Sequence, residues 1–368
     1  MKPKVGILTF HNSDNFGALL QTFGTVKSVE KLGVNPEVIN YHSPNKKGMY
    51  TVFHLNLKKS IKSNLRMLMN VLVKRKKYLN SENFRASTLH ISGDPISQFS
   101  ELQEIQKNFS RVIVGSDQVW NYMNTKFDKR YFLDFVDDSG KKVAYAASFA
   151  LNNIENRYRA DYSKLLDSFK YISVREARGK EIVHDLTGKS AVQTVDPTLL
   201  LSKQEWQFFS SVPNVKKTKR NYVLLYTIGM DHHSFKIAKK ISKEQGLKLL
   251  IIATGFKDYF KGVKAVNPTP NEFVDLFSRS EYVVTNSFHG LVFSIIMNKR
   301  FICSLDKQKA NNSRQLSLLD SLNLNERLCF DGELIYEYES SIDWDFVNYT
   351  LERERERSLE FLRTAILE

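Results

Sequence analysis

The sequence predicts an α/β protein of two lobes, each built on an open, doubly wound parallel sheet, with a helix at the C-terminus. Three observations predict it. Apolar β-like runs alternate with segments of helical spacing along most of the 368 residues, which is the pattern of successive βαβ units. That length exceeds one ordinary core, since domains commonly hold about 100 to 200 residues. The alternation breaks at SSVPNVKKTKR, residues 210–220, where Pro, Asn and a run of Lys and Arg read as a linker.

The N-terminal lobe, residues 1–209, opens with a β-like run over 5–10, the loop HNSDNFG, and a helical pattern over 18–32 closed by Gly33; residues 36–41 form the next strand. An insertion over about 57–80 contains KKSIKSNLRMLMNVLVKRKKYLN, which is rich in Lys and Arg, lacks acids, and repeats Ile61, Leu65, Leu68, Met69 and Leu72 at helical spacing. Such a basic amphipathic helix either lies on an anionic membrane surface or is a solvated face packed on the lobe. Further strands are expected at 111–114 before GSDQVWN, at 143–149, at 171–174 before REARGKEIVHDL, and at 192–195 before an Asp-Pro pair.

The C-terminal lobe, residues 221–342, restarts the pattern with a strand over 222–227, a helix over 234–244 and a strand over 247–254. A helix from Asn271, a strand over 282–285, a helix carrying His289 and a strand over 300–303 follow. Residues 343–368 form a long terminal helix whose run LERERERSLEF reads as a solvated face, with Trp344 as a packing anchor.

Hydrophobic residues at 42% and aromatic residues at 12% supply packed interiors and exclude a disordered chain. Cys303 and Cys329 are the two cysteines, without a CxxC or a Cys/His cluster, so neither a disulfide framework nor a structural zinc site is expected, and a reducing cytoplasm fits. The opening MKPKVGILTF is too short for a signal-peptide core, and no apolar run reaches a membrane span, so a soluble or peripheral protein is expected. The 54 Lys and Arg against 40 Asp and Glu give a net charge of +14 and point to anionic partners. Phosphorylated metabolites and lipid headgroups qualify, whereas no nucleic-acid recognition module is visible.

In open parallel sheets, ligands bind beyond the carboxyl ends of the strands, where helix N-termini offer free amides and positive dipole. The stretch VVTNSFHGLVFSII places His289 at such a junction. Asn286 or Ser287 can cap the helix, Gly290 allows close backbone approach, and the imidazole can donate a hydrogen bond or carry a proton toward an anion. A structural histidine buried under the loop is the alternative. In the first lobe His11, Asn12, Asp14, Asn15 and Gly17 precede the first helix, with Asp14 or Asn15 as its cap. In VGSDQVWN, Ser116, Asp117, Gln118 and Trp120 follow a strand; a carboxylate beside an aromatic face suits a sugar, and Trp120 serves equally as a core residue.

Together the stretches VGILTFHNSDNFGALLQ, VIVGSDQVWN, YISVREARGKEIV, VDPTLLL and VVTNSFHGLVFSII, in that order over residues 4 to 330, resemble the polysaccharide pyruvyl transferases. The resemblance implies two Rossmann-like doubly wound lobes in a GT-B-like arrangement. It also implies transfer of a pyruvyl group from phosphoenolpyruvate to a sugar as a cyclic ketal, on a bacterial surface polysaccharide or its lipid-linked precursor. No cofactor and no metal are expected, phosphoenolpyruvate being a substrate. The family's arginine in S-V-R-D/E falls on Arg175, able to grip carboxylate or phosphate or else to form a surface pair, and its histidine falls on His289. Ser287 stands where the common pattern S-x-R-x-H has an arginine, so a cation is missing; Arg314 is the preferred replacement and Arg279 the other.

On this reading Arg175, Ser287, His289, Gly290, Arg314 and Arg279 serve the donor. His11, Asn12, Asn15, Gly17, Ser116, Gln118 and Trp120 serve the acceptor. His289 is the acid, and Asp117 or Asp14 the base. Expected partners are phosphoenolpyruvate, a sugar or lipid-linked oligosaccharide, and a peripheral membrane contact, without nucleic acid. The alternative is a GT-B-type glycosyltransferase using a nucleotide sugar.

Overall fold

The computed structural model describes residues 2–44, 61–211, 221–229, 231–260, 262–307, 312–334 and 340–368. The expected linker therefore lies, from residue 212 onward, outside the described residues, as do residues 57–60 of the basic insertion.

The first part of the chain runs β1 (Lys4–Leu8), α1 (Phe16–Lys31), β2 (Asn35–Val38), α2 (Ile61–Thr88), α3 (Phe99–Ile105), β3 (Arg111–Val114) and α4 (Tyr122–Thr125). It continues with β4 (Lys142–Ala147), α5 (Asn156–Asp167), β5 (Tyr171–Val174), α6 (Ala177–Thr187), β6 (Val192–Gln193) and α7 (Lys203–Ser210). The six strands form one parallel sheet in the order β2-β1-β3-β4-β5-β6. Strand order reverses between β1 and β3, which opens a crevice at their carboxyl ends.

The second part runs β7 (Tyr222–Tyr226), α8 (His232–Glu244), β8 (Lys248–Ile252), β9 (Lys264–Val266), α9 (Pro270–Arg279), β10 (Tyr282–Thr285) and α10 (Phe288–Ile296). Then come β11 (Arg300–Leu305), α11 (Ser313–Ser321), β12 (Leu328–Phe330), β13 (Glu333–Leu334) and α12 (Trp344–Leu367). Its sheet has the order β13-β12-β11-β10-β7-β8-β9, parallel except for the edge pair β12–β13. Here the reversal falls between β7 and β10. The fold is thus two Rossmann-like doubly wound lobes with a C-terminal helix.

Central strands match the sequence pattern because burial on both faces makes them continuous apolar runs, as in YVVT of β10, fully buried throughout. The edge elements β9, β12 and β13 escaped that reading; at two or three residues they are too short to carry a period. Helix ends follow local capping: Asn15 accepts from the Gly17 N–H at 2.8 Å and starts α1, and Thr269 with Glu272 forms a capping box behind Pro270 in α9.

Thirteen of the 16 residues of α1 are buried, so this helix lies between the two sheets and meets solvent only at Lys27, Glu30 and Lys31 near its end. Its polar members are satisfied locally: Thr22, Thr25 and Ser28 donate to the carbonyls of Ala18, Gln21 and Gly24. Its apolar members join a core shared by both lobes. Phe16 stacks on Phe273 at 4.6 Å, and Trp206 of α7 meets Phe293 of α10 edge-on at 5.0 Å.

Helix α12 fastens the two halves a second time. Val347 and Leu351 enter the shared core, while Leu362, Ala365 and Ile366 pack on Val5, Ile113 and Val143 of the first sheet. Trp344 is partly buried against the shared core. The Glu/Arg run forms i,i+3 pairs on the outer face, Arg357 with Glu354 and Arg363 with Glu360, while Arg355 turns inward and donates to the Leu199 carbonyl at 2.8 Å. No described helix is long and apolar enough to cross a membrane.

Phe273 has no exposed surface, and truncation of a buried phenylalanine costs about 3–5 kcal/mol. Phe273→Ala should therefore lower the melting temperature while leaving one transition, because the lobes share this core. Calorimetry showing two separated transitions would contradict a shared core.

Candidate active site

Both strand-order reversals face the same space. A cavity of about 730 Å³ lies between the carboxyl ends of the two sheets, reached by Asn15, Asp117 and Gln118 from the first lobe and by Ser287, His289 and Arg314 from the second.

After β3 the chain turns sharply and Asp117 adopts φ +72°. Aspartate enters this left-handed region more readily than most residues because its carboxylate can bond locally, and here Oδ1 accepts from the Gln118 N–H at 2.9 Å. The turn aims Asp117 at the cavity. Beneath it Arg175, at the end of β5 and almost fully buried, donates from Nη1 to Asp196 Oδ2 at 2.5 Å and from Nη2 to Asp117 Oδ1 at 3.4 Å. Asp196 has no exposed side-chain surface. Its Oδ1 caps the short helix Pro197–Leu200 through the Thr198 N–H at 3.0 Å.

From the other lobe, Ser287 caps α10 by accepting from the Gly290 N–H at 3.3 Å, which sets His289 in the first turn. His289 Nε2 lies 3.6 Å from Asp196 Oδ2, an ion-pair separation when the imidazole is protonated. Two guanidiniums lie over the ring of Phe288, Arg175 at 4.6 Å and Arg314 at 5.3 Å from its centre. Arg314 begins α11 and approaches Asp117 Oδ1 at 3.9 Å, beside the Gln118 carboxamide.

Burial alone would raise the Asp117 carboxyl, but Arg175, His289 and Arg314 outweigh it and hold it below the ordinary carboxylate range. The same contest at Asp196 ends further down, through His289, Arg175 and the Thr198 hydroxyl. Arg314 is pushed down to about 10 by burial and by Arg175. His289 Nε2, Arg175 Nε, Arg314 Nε and Gln315 Oε1 are buried without a hydrogen-bond partner; such atoms cost about 1–3 kcal/mol each in a site awaiting a ligand. Among the described residues no group of three or more His, Cys, Asp or Glu is arranged to hold a metal ion.

Of the residues singled out in the sequence, Asn15, Asp117, Gln118, Asn286, Ser287, His289 and Arg314 border the cavity, and Arg175 underlies it. The others do not. His11 is buried, its imidazole bonded to the Thr9 carbonyl and to Asn40. Asn12 is half-buried and outside the lining. Asp14 turns away to Arg85 of α2 at 3.4 Å. Ser116 is buried and donates to the Ala146 carbonyl at 2.8 Å. Trp120 is core, stacked on Phe132 with its indole N–H donating to the Tyr131 carbonyl. Arg279 pairs with Asp275, and its carbonyl accepts from Asn221 ahead of β7, at the opposite end of the sheet.

At both glycines a side chain would collide with the packing around it. A Cβ on Gly17 would lie 1.9 Å from His289 Nδ1, so the first turn of α1 must be bare for the imidazole to cross between lobes. A Cβ on Gly290 would lie 2.2 Å from Thr285 Oγ1, where α10 closes onto its strand.

Sequence reasoning did not single out Asp196 or Phe288. Asp196 carried a signal, since Asp-Pro is an N-cap followed by a favoured first helical residue. Phe288 carried none.

Two doubly wound lobes facing each other across a polar cavity define a GT-B-like protein. The chain belongs to the polysaccharide pyruvyl transferase family, whose pattern it matches over residues 15–304. It is accordingly a transferase of polysaccharide biosynthesis. No match was found among curated proteins. In fold it is similar to a putative UDP-N-acetylglucosamine 2-epimerase from Listeria monocytogenes (12% identity, TM-score 0.53, covering 99% of this chain and 91% of that one). It is also similar to UDP-N-acetylglucosamine 2-epimerase from Rickettsia bellii (8%, 0.53, 98% and 96%). UDP-GlcNAc 2-epimerase from Neisseria meningitidis, solved with UDP-GlcNAc bound, is similar as well (10%, 0.51, 97% and 93%).

Burial lowers the His11 pKa from 6.5 to about 4, so the folded protein holds this imidazole neutral. The stability this contributes is fully present above about pH 6.5 and is lost as pH falls toward 4, by up to roughly 3 kcal/mol. Urea unfolding at pH 7 and pH 4.5 should show that His11→Asn flattens this loss. An unchanged pH slope in the variant would contradict it.

Proposed function

We propose that the protein transfers the enolpyruvyl unit of phosphoenolpyruvate to two hydroxyls of one sugar, forming a pyruvate ketal on a surface polysaccharide or its lipid-linked precursor and releasing inorganic phosphate. The observation that carries this reading is the convergence of Arg314, His289 and the Arg175–Asp196 pair on one cavity, with Asp117 facing them. Family membership supports it.

Arg314 supplies the cation missing at position 287. It reaches the same space from α11, over the ring of Phe288, and its fork suits a carboxylate or a phosphate. In the reaction, carbon 3 gains a proton, carbon 2 becomes electrophilic, and one sugar hydroxyl adds there. The carbon–oxygen bond to phosphate then breaks, and a second hydroxyl closes the ketal; one hydroxyl proton ends on carbon 3 and the other on phosphate.

His289 is placed to give the proton, and with Arg314 to stabilise the departing phosphate; a preorganised donor of this kind is worth about 3–4 kcal/mol. Of the two candidate bases Asp117 fits better, since Asp14 is engaged by Arg85. With the cavity empty, neighbouring cations make Asp117 a weak base. An anionic donor would compensate those cations and raise its basicity.

The reading needs no metal or cofactor and suits a cytoplasmic site, in keeping with two free, buried cysteines. Asn15 and Gln118, the cavity-facing amides of the first lobe, are the acceptor contacts in this scheme.

The test is phosphate release from phosphoenolpyruvate with a panel of free and lipid-linked galactosides, mannosides and glucosides, run beside nucleotide sugars. His289→Ala should lower kcat by about 10²- to 10³-fold and Arg314→Ala comparably in kcat/KM, whereas Arg279→Ala should leave both unchanged. Nucleotide release in place of phosphate would replace this reading with a nucleotide-sugar glycosyltransferase. Full turnover by His289→Ala would remove the proton-donor role.

A further inference from the structure

We propose that the outward face of α2 docks the protein on an anionic phospholipid bilayer. From Ile61 to Ser81 this helix carries six Lys or Arg and no acid. Its inner side is fastened to both lobes. Asn70 Oδ1 accepts from the Phe256 N–H at 3.1 Å, the Val73 carbonyl accepts from Asn267 at 3.1 Å, and Lys77 lies 5.2 Å from the ring of Phe16. Phe84 enters the shared core, and Arg85 donates to the Ser13 carbonyl at 3.0 Å. The opposite side is therefore presented outward as a fixed surface.

On that side Leu72 and Leu79 are 48% and 47% exposed, and Lys74, Arg75 and Lys76 between them are exposed as well. Leu72, Arg75, Lys76 and Leu79 follow at helical spacing and form one stripe. A purely solvated helix face has a different composition, which this protein itself displays: α12 interleaves Glu and Arg and pairs them along its surface. The stripe on α2 has no such partners within it. Exposed leucines flanked by uncompensated cations match a phospholipid boundary, where apolar side chains enter the acyl region and ammonium and guanidinium groups meet phosphate.

The positive surface continues beside the helix. A second cavity, of about 940 Å³, lies where α2 flanks β8 and β9, and Lys76, Lys248 and Lys264 line it with Tyr259. This surface is separate from the cavity between the sheets, so the inference holds whatever the donor proves to be.

The test is co-sedimentation of the full chain with vesicles of phosphatidylglycerol and phosphatidylcholine, compared with phosphatidylcholine alone. Binding to the anionic vesicles is expected, weakening as salt rises. Each basic residue near a bilayer is worth about fivefold in partitioning, so Lys74→Gln/Arg75→Gln/Lys76→Gln should lower it about 100-fold. Leu72→Ser/Leu79→Ser should lower it about tenfold. Because these side chains are exposed, circular dichroism and melting temperature should be unchanged. Removing equal charge elsewhere, by Lys236→Gln/Lys239→Gln/Lys243→Gln on α8, should change partitioning by less than about threefold. Absence of binding, an equal loss in the α8 variant, or complete displacement by soluble glycerophosphate at constant ionic strength would each overturn the proposal.

Discussion

The Asp196 carboxylate, wholly withdrawn from water, is the charge around which the rest of the site is arranged. An ionised group in that position costs several kcal/mol unless it is matched; the Arg175 guanidinium bonds it and the His289 imidazole lies 3.6 Å away. Arg175 belongs to the same lobe, whereas His289 crosses from the other. The site therefore depends on the register of one lobe against the other. Gly17 is part of that register, since any side chain there would occupy the place of the imidazole. The shared aromatic core around Phe16 and Phe273 keeps α1 where the contact can form.

Charge balance in the empty site has a direction. Arg175 is matched by two carboxylates, while Arg314 sits near Arg175 with its Nε unpaired and its pKa lowered. Two guanidiniums close to one phenyl ring repel each other, and an anion between them relieves that repulsion. Phe288 thus does more than fill space: both cations lie over its ring, and it adds no charge of its own. Asp117 lies within 4 Å of both and is held below the ordinary carboxylate range by them and by His289.

Much of the fold was legible in the sequence because both sheets are buried on two faces, which turns strands such as RVIV and YVVT into uninterrupted apolar runs. Strands β9, β12 and β13 of the second sheet were not, because two or three residues carry no period. In the site, Asp117 and His289 could be found because they follow strands directly, at positions where such sheets place ligands. Arg314 could be proposed only as a neighbour in sequence; its place over Phe288 depends on the path of α11. Reading polar loop residues as one group misjudged His11, Asp14 and Ser116, since a loop at a strand end points some side chains inward and some toward neighbouring elements. Trp120 and Gly290 were likewise drawn to packing, one by an aromatic nest and the other by the hydroxyl of Thr285.

Helix α12 is sewn to the shared core near Val347 and to the first sheet near Ile366, and α1 lies almost wholly buried between the lobes. A clamshell opening about a hinge would tear aromatic rings apart and leave both lobes with raw apolar walls. The width of the cavity is thus tied to the shared core, since widening it means parting Phe16 from Phe273.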